Sequence, residues 1–394
     1  MNIVFLTHPE WLQSSSMPRL ARMFGEGMKS KGHRVSYWTS RPFLGRYAPR
    51  WAALRKWLGY LDQYLIYPWS LAKNVRNQPQ GTVFVVTDQA LGMWVPKITQ
   101  RPHVIHCNDF LALRSALGQF PENPTKWSGR LYQHLIRRGF SKGSHFVSIS
   151  HATNQDLQRL TLGTPQSTEA VHLGLNGDFR VLDDQTSREI LKSRLHGEEE
   201  TGFLLHVGGS QWYKNREGVI ELYRAYSERT ERPIPLWMVG AEPGDRLRAS
   251  ARKMPNGGTV RFLSGCSNEE VIAAYNRAAL FLFPSLEEGF GWPIAEALAC
   301  GTLVLTTDAA PMTEVGGDAA SYLRRKSASD ESWAEEGAQQ IISLLHLSAA
   351  ERETRIRRGL EHAGKFTTKN ALDAYETIYK RVLESWQAES EVPQ

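Results

Sequence analysis

Short runs of Val, Ile, Leu and Phe recur along the chain with amphipathic stretches between them. NIVFLTH, RVSYWTS, TVFVVTD, HVIHCND and HFVSIS mark the first half; FLLHVGG, PLWMVGA, TVRFLSG, LFLFPSL and TLVLTTD mark the second. Near-continuous apolar strands alternating with helices belong to parallel sheets that are covered on both faces. Each half therefore predicts one doubly wound α/β unit of Rossmann type. Ligands of such sheets sit at the C-terminal strand edges, so two units facing one another predict a site in the cleft between them.

The stretch NGDFRVLDDQTSREILKSRLHGEEETG, with a turn at Asn176-Gly177 and dense charge, separates the two sets of strands. It predicts an N-terminal domain over 1–180, a linker over 181–199 and a C-terminal domain over 200–365. Residues 366–388 carry apolar positions at helical spacing behind a Thr cap. They predict a long terminal helix, with 366–394 packing back on the N-terminal domain. No internal repeat is present.

Composition adds charge to this picture. Of 394 residues, 1–180 hold 22 Lys and Arg against 9 Asp and Glu, a net +13, whereas the remainder is net −7. A basic first half implies an anionic partner. Three scattered cysteines suit a reducing compartment. No window approaches the length of a bilayer span, and the opening MNIVFLTHPEW reads as a strand rather than a leader. The expectation is a cytoplasmic protein, at most peripheral on the inner face of a membrane.

One segment, EEGFGWPIAEALACG at 287–301, carries the chemistry. It follows the buried strand LFLFPSL, so its glycine-bearing loop lies at a C-terminal sheet edge. Pro293 suits the start of a helix and Gly301 its end. The helix tip then offers N–H groups and a positive dipole end to an anion, with Gly291 letting a phosphate come close. Glu288 falls in the loop and Glu296 about one turn into the helix. Carboxylates accept hydrogen bonds from vicinal hydroxyls, and a nucleotide sugar has such hydroxyls on both sides of a diphosphate. The plainer alternative makes Glu296 an N-terminal-turn Glu favoured by the dipole and Glu288 a solvated loop charge.

The longer segment PSLEEGFGWPIAEALACGTLVLTTDAAPMTEVGGDAA, residues 284–320, resembles the signature region of retaining GT-B glycosyltransferases of glycosyltransferase family 4. Glu288 and Glu296 match that family's two-glutamate motif. HVGGSQWYKN, VRFLSGCSNEEVIAAYNRAALFLFPS and SISHATNQDL extend the resemblance over most of the chain. It implies the GT-B fold, two Rossmann-like domains facing across a cleft. By resemblance the first glutamate binds the donor hexose and the second the ribose, with Gly289, Phe290, Gly291 and Trp292 around sugar and diphosphate. Trp292 stands where an aliphatic residue is common. Gly208, Gly209 and Lys214 fall on the diphosphate loop, and Ser264 in RFLSG on the base site. The family's Arg in that loop reads Gly209 or Ser210 here, which leaves Arg216 or an N-terminal Arg to replace it.

In the first half, the serine cluster Ser14, Ser15 and Ser16 with Arg19 occupies the family's glycine-rich loop. It faces phosphate or acceptor, or simply caps the helix. HVIHCND ends a strand where relatives carry a His-Asp pair; His106 with Asp109, or Asn108 with Asp109, matches it. Glu314 and Gly316 in TEVGG resemble a further family element of structural character.

The resemblance implies transfer of a hexose from a UDP- or GDP-sugar to a saccharide or lipid-linked saccharide, with anomeric configuration retained. No cofactor and no metal are expected, since the cleft motifs contain neither Asp-X-Asp nor a His cluster. The competing readings are a non-catalytic nucleotide-sugar-binding protein, a glycoside hydrolase with paired carboxylates, and a phosphorylase. Residues 41–73 interleave Arg and Lys with Trp, Tyr and Phe around a single acid, Asp62. They suit anionic lipid headgroups, or an aromatic insertion that fills the N-terminal core. No nucleic-acid motif accompanies the charge.

Overall fold

The structure, a computed structural model, describes residues 1–9, 16–44, 58–195, 202–327 and 330–391. The chain divides into two compact units, Met1–His172 with Lys369–Gln394, and Leu173–Thr368.

The first unit holds a six-stranded sheet in the order β2-β1-β3-β4-β5-β6. Its strands are β1 (Asn2–Leu6), β2 (Arg34–Trp38), β3 (Thr82–Val86), β4 (His103–Cys107), β5 (His145–Ser148) and β6 (Ser167–Ala170). Every pairing is parallel. All five residues of β3 and of β4 are buried, as strands covered on both faces must be. The last helix, Thr368–Glu391, closes one face of this unit. It buries Tyr375, Ile378, Tyr379 and Val382, and Lys31 bridges to Glu376 at 2.9 Å beside its contact with Asp373.

The second unit has the order β12-β11-β10-β7-β8-β9. It comprises β7 (Phe203–Gly208), β8 (Leu236–Gly240), β9 (Val260–Leu263), β10 (Ala278–Phe283), β11 (Val304–Thr307) and β12 (Ser321–Leu323). Again all pairings are parallel. Chain order reverses between β7 and β10, so the crevice at their C-terminal ends is the ligand position that topology defines. The loops leaving these two strands, 209–215 and 284–291, are the ones singled out by sequence.

The chain passes between the units at residue 172, ahead of the expected boundary at 180–200. Of the expected linker 181–199, residues 181–195 are described, and they contain the helix Asp184–Leu195, tied to the second unit by Arg194–Glu270 at 2.9 Å and by an Asp184–Arg277 ion pair. The Asn276 side chain holds the preceding segment, accepting from Leu182 N at 2.7 Å and donating to Arg180 O at 2.9 Å.

Candidate functional site

The site of the second unit is built from the two loops at the switch point. The loop after β10 is fixed from both sides: Leu286 N donates to Tyr213 O at 2.7 Å, and Asn215 Nδ2 donates to Pro284 O at 2.9 Å. Arg325 Nε donates to Leu286 O at 3.0 Å and lies 3.5 Å from Glu287. Glu287 is thus engaged behind the loop, while its neighbour Glu288 meets Lys214. Lys214 Nζ donates to Glu288 Oε1 at 2.7 Å, with the side chains 14% and 7% exposed. The Lys214 ammonium also lies 4.9 Å from the centre of the Phe283 ring. An ion pair this enclosed is held in one geometry, and losing either partner strands a charge.

Gly291 then takes φ +101°, a left-handed conformation that glycine adopts without penalty, and opens the eight-residue helix Trp292–Ala299. Pro293 is the second helical residue. Trp292 Nε1 donates to Gly174 O at 2.9 Å, which pins the helix start to the segment entering the unit. Phe290 is buried against Trp292 and Phe366. One turn into the helix, Glu296 Oε2 accepts from the Tyr275 hydroxyl at 3.0 Å. Burial first, and Glu296 second, hold the Tyr275 hydroxyl well above its ordinary pKa, so it stays a donor.

The opposite loop supplies cations. Arg216 is the first residue of the helix Arg216–Glu228, entered through Asn215 at φ +51°. Its residue is 8% exposed, yet Nε and Nη2 are buried with no hydrogen-bond partner among the described residues. Beside it His206 donates from Nδ1 to Leu282 O at 2.9 Å, tying β7 to β10, and its buried Nε2 has no partner among the described residues. Burial pushes the His206 pKa down to about 4, and the nearby charges of Arg216 and Lys214 act in the same direction. Gly208 lies against this ring: a Cβ there would stand 2.8 Å from His206 Nε2. Gly209 abuts the Gln211 side chain, and Ser264 Oγ donates to Glu242. Glu288, Glu296, Lys214, Gly208, Gly209, Gly289, Phe290, Gly291 and Trp292 thus all lie at or just beyond the β7 and β10 ends. Ser264 follows β9, and Glu314 lies on the short helix Met312–Gly316.

The N-terminal expectations fare differently. His106 is a correction: it is a core residue, 1% exposed, paired through Nε2 with the Tyr379 hydroxyl at 2.7 Å and ringed by Phe24 and Tyr375. Burial pushes its pKa down to about 3, so the imidazole is neutral and closed to a substrate. Asp109 is half-buried at the end of β4, where it accepts from Leu111 N at 3.0 Å and begins a short helix. Asn108 is buried and donates to Thr87 O at 3.1 Å. Ser14 and Ser15 lie outside the described residues; Ser16 is the first residue of the helix Ser16–Ser30, and Arg19 on it is exposed. Sequence reading missed His8 and Asp88, which meet at 2.9 Å in the loops after β1 and β3, where the order of the first sheet reverses. Adjacent THP and VTD strand ends were the available signal.

The comparisons agree with this architecture. Residues 187–361 match the family described as "Glycosyl transferases group 1", within the second unit. Over 181 residues the chain is 28% identical to the O-antigen chain mannosyltransferase B of Escherichia coli, covering 45% of this chain and 46% of that protein. It is 27% identical over 182 residues to the lipopolysaccharide glucosyltransferase WaaG of Escherichia coli K12, covering 45% and 48%. The matches thus span about half the length of these curated relatives. The crystal structure of WaaG superposes with a TM-score of 0.69 at 16% identity, over 96% of this chain and 99% of that one. Anabaena Alr3699/HepE, solved in complex with UDP and glucose, gives 0.68 at 15% identity, over 96% and 100%. The fold is GT-B, and the family match with the relatives supports a glycosyltransferase.

Proposed function

We propose that the protein is a retaining, metal-independent hexosyltransferase that moves a sugar from a UDP- or GDP-sugar to a saccharide or lipid-linked saccharide. The setting is the assembly of a surface polysaccharide or glycolipid, in keeping with the O-antigen and lipopolysaccharide relatives. The observation that carries this reading is the Lys214–Glu288 pair beside the glycine-opened helix, with Glu296 one turn further in and steadied by Tyr275.

In this reading the hexose hydroxyls donate to Glu288 and the ribose hydroxyls to Glu296. The diphosphate lies at the positive end of the helix Trp292–Ala299, against Lys214 and the fork of Arg216. Reaction breaks the bond between the anomeric carbon and the β-phosphate oxygen, and negative charge grows on that oxygen. Lys214 retains two further N–H donors for it, and donors fixed in advance lower the barrier most. The acceptor oxygen bonds to the anomeric carbon on the face the phosphate leaves, and its proton passes to the departing phosphate. Asp109 and Arg19 are the N-terminal candidates for acceptor contacts.

Incubation with UDP-, GDP- and ADP-hexoses, followed by NMR of the anomeric proton, tests the proposal. Transfer or slow donor hydrolysis with retained configuration, undiminished by EDTA, is the expected result. Binding without turnover of any donor would leave a nucleotide-sugar-binding protein, and an inverted product would overturn the retaining assignment.

A further inference from the structure

Two helical segments of the first unit turn apolar side chains outward at regular spacing. In the segment running from residue 58 through the helix Tyr67–Arg76, Leu61, Leu65 and Trp69 recur every four residues and are exposed, Trp69 at 83%. In the helix Trp127–Phe140, Trp127, Leu131 and Leu135 repeat the same spacing, Trp127 at 78%. Single exposed apolar residues are ordinary, but a stripe with helical period on a solvent face is not. Both segments already have their inward faces satisfied. Ile136, Gly139 and Phe140 pack on the 3-10 segment Gln89–Lys97, and Tyr67 with the Gln63 carbonyl packs on Trp94 of that same segment. The segments also touch each other through Tyr60, Tyr64 and Tyr132. The stripes are therefore surplus to the core and lie on neighbouring elements.

Charge singles out the partner. Lys126, Arg130 and Arg138 stand on or beside the second stripe, Lys73 and Arg76 beyond the first, and all are exposed. No acid falls between residues 126 and 142. Between 58 and 77 Asp62 alone is acidic, and it is 1% exposed and occupied by the amides of Phe43 and Leu44, at 2.9 and 2.8 Å. Protruding Trp and Leu set among cations, with no exposed acid within 126–142 or 58–77, match an anionic bilayer, where indoles sit at headgroup depth and each Lys or Arg near the surface adds attraction. We propose that this face docks on anionic phospholipid, with the two stripes entering the interface and the cations lying at the phosphates. Sequence pointed only to residues 41–73, of which 45–57 lie outside the described residues. The helix Trp127–Phe140 is the structure's addition. The proposal needs no assumption about transfer chemistry.

Co-sedimentation with phosphatidylcholine vesicles, with and without phosphatidylglycerol, tests it. The full chain is expected to pellet with the anionic vesicles alone, less so as salt rises. Replacing Leu61, Leu65 and Trp69 by Ser, or Trp127, Leu131 and Leu135 by Ser, should each weaken partition about tenfold or more, with unchanged circular dichroism. Should either set unfold the protein, reversing Lys126, Arg130 and Arg138 to Glu keeps the test, because these side chains are exposed, and loss of pelleting is again expected. A wild-type chain that stays in the supernatant at low salt overturns the proposal, as do variants that pellet like wild type. A dimer in sedimentation velocity that these substitutions abolish would equally overturn it, by assigning the face to a second copy of the chain.

Discussion

Lys214 and Glu288 meet at 2.7 Å although they stand 74 residues apart, each carried on the loop that leaves one strand of the switch point. Replacing Glu288 by Gln keeps the shape and a carbonyl acceptor but removes the counter-charge. Transfer should fall by about a hundredfold or more, while calorimetric titration with the free nucleotide diphosphate shows affinity kept within a few-fold. Unchanged turnover would deny Glu288 its assigned role.

Arg216 presents opposite signs for stability and binding. A buried guanidinium whose Nε and Nη2 have no partner among the described residues is a cost to folding. Arg216→Met should leave the melting temperature equal or raise it, yet weaken nucleoside diphosphate binding by about ten- to a hundredfold, the worth of one or two charge-assisted hydrogen bonds. The unphosphorylated nucleoside should bind as before. If nucleoside affinity drops in parallel, Arg216 contacts the base rather than the phosphates.

Gly240 is a stringent backbone position. It has φ +141°, and a Cβ there would stand 2.1 Å from Gly208 O on the neighbouring strand. Gly240→Ala should cost about 3 kcal/mol or more. A melting temperature lowered on the order of 5–10 °C in calorimetry is the expected reading.

Acid should destabilise the protein in two stages. His103, His106 and His206 have pKa values pushed down by burial to about 4, 3 and 4, below the ordinary 6.5. Unfolding lets each take up a proton, so their contribution is complete above about pH 6.5 and is lost progressively below it. Glu376, held down to about 2 by hydrogen bonds from Lys380, Lys31 and His33, adds stability above its ordinary 4.5 that disappears as pH falls toward 2. Melting temperatures measured from pH 8 to pH 4 should therefore be level at first and decline from about 6.5. A His106→Asn variant should show a shallower decline.

The apolar runs made ten of the twelve strands legible; eight of these are largely buried, and the edge strands β2 (RVSYW) and β9 (VRFL) still show Val, Tyr, Trp, Phe or Leu in sequence although they are mostly half-exposed. The two that escaped, β6 (STEA) and β12 (SYL), are short edges with polar or half-exposed residues, and edge strands carry little of that signal. Glu288, Glu296 and Lys214 were legible because strand end, glycine and helix start fix their surroundings locally. Tyr275 was not: its bond to Glu296 depends on how the helix Asn268–Arg277 packs, which no local pattern encodes. His106 misled for the related reason that a strand-end imidazole looks alike in sequence whether it meets solvent or Tyr379. The outward stripe at Trp127 escaped because its apolar spacing equals that of an ordinary core-facing helix.

The first unit is sealed by the helix Thr368–Glu391, which leaves the ribosome only after the whole of the second unit. Until that helix has emerged, β4 and the helix Ser16–Ser30 have no Tyr375 or Tyr379 against them, whereas the second unit is already complete at Thr368. The half of the chain made first is thus the half that matures last, and a nascent polypeptide stalled before residue 369 would carry an open apolar face for chaperones to guard.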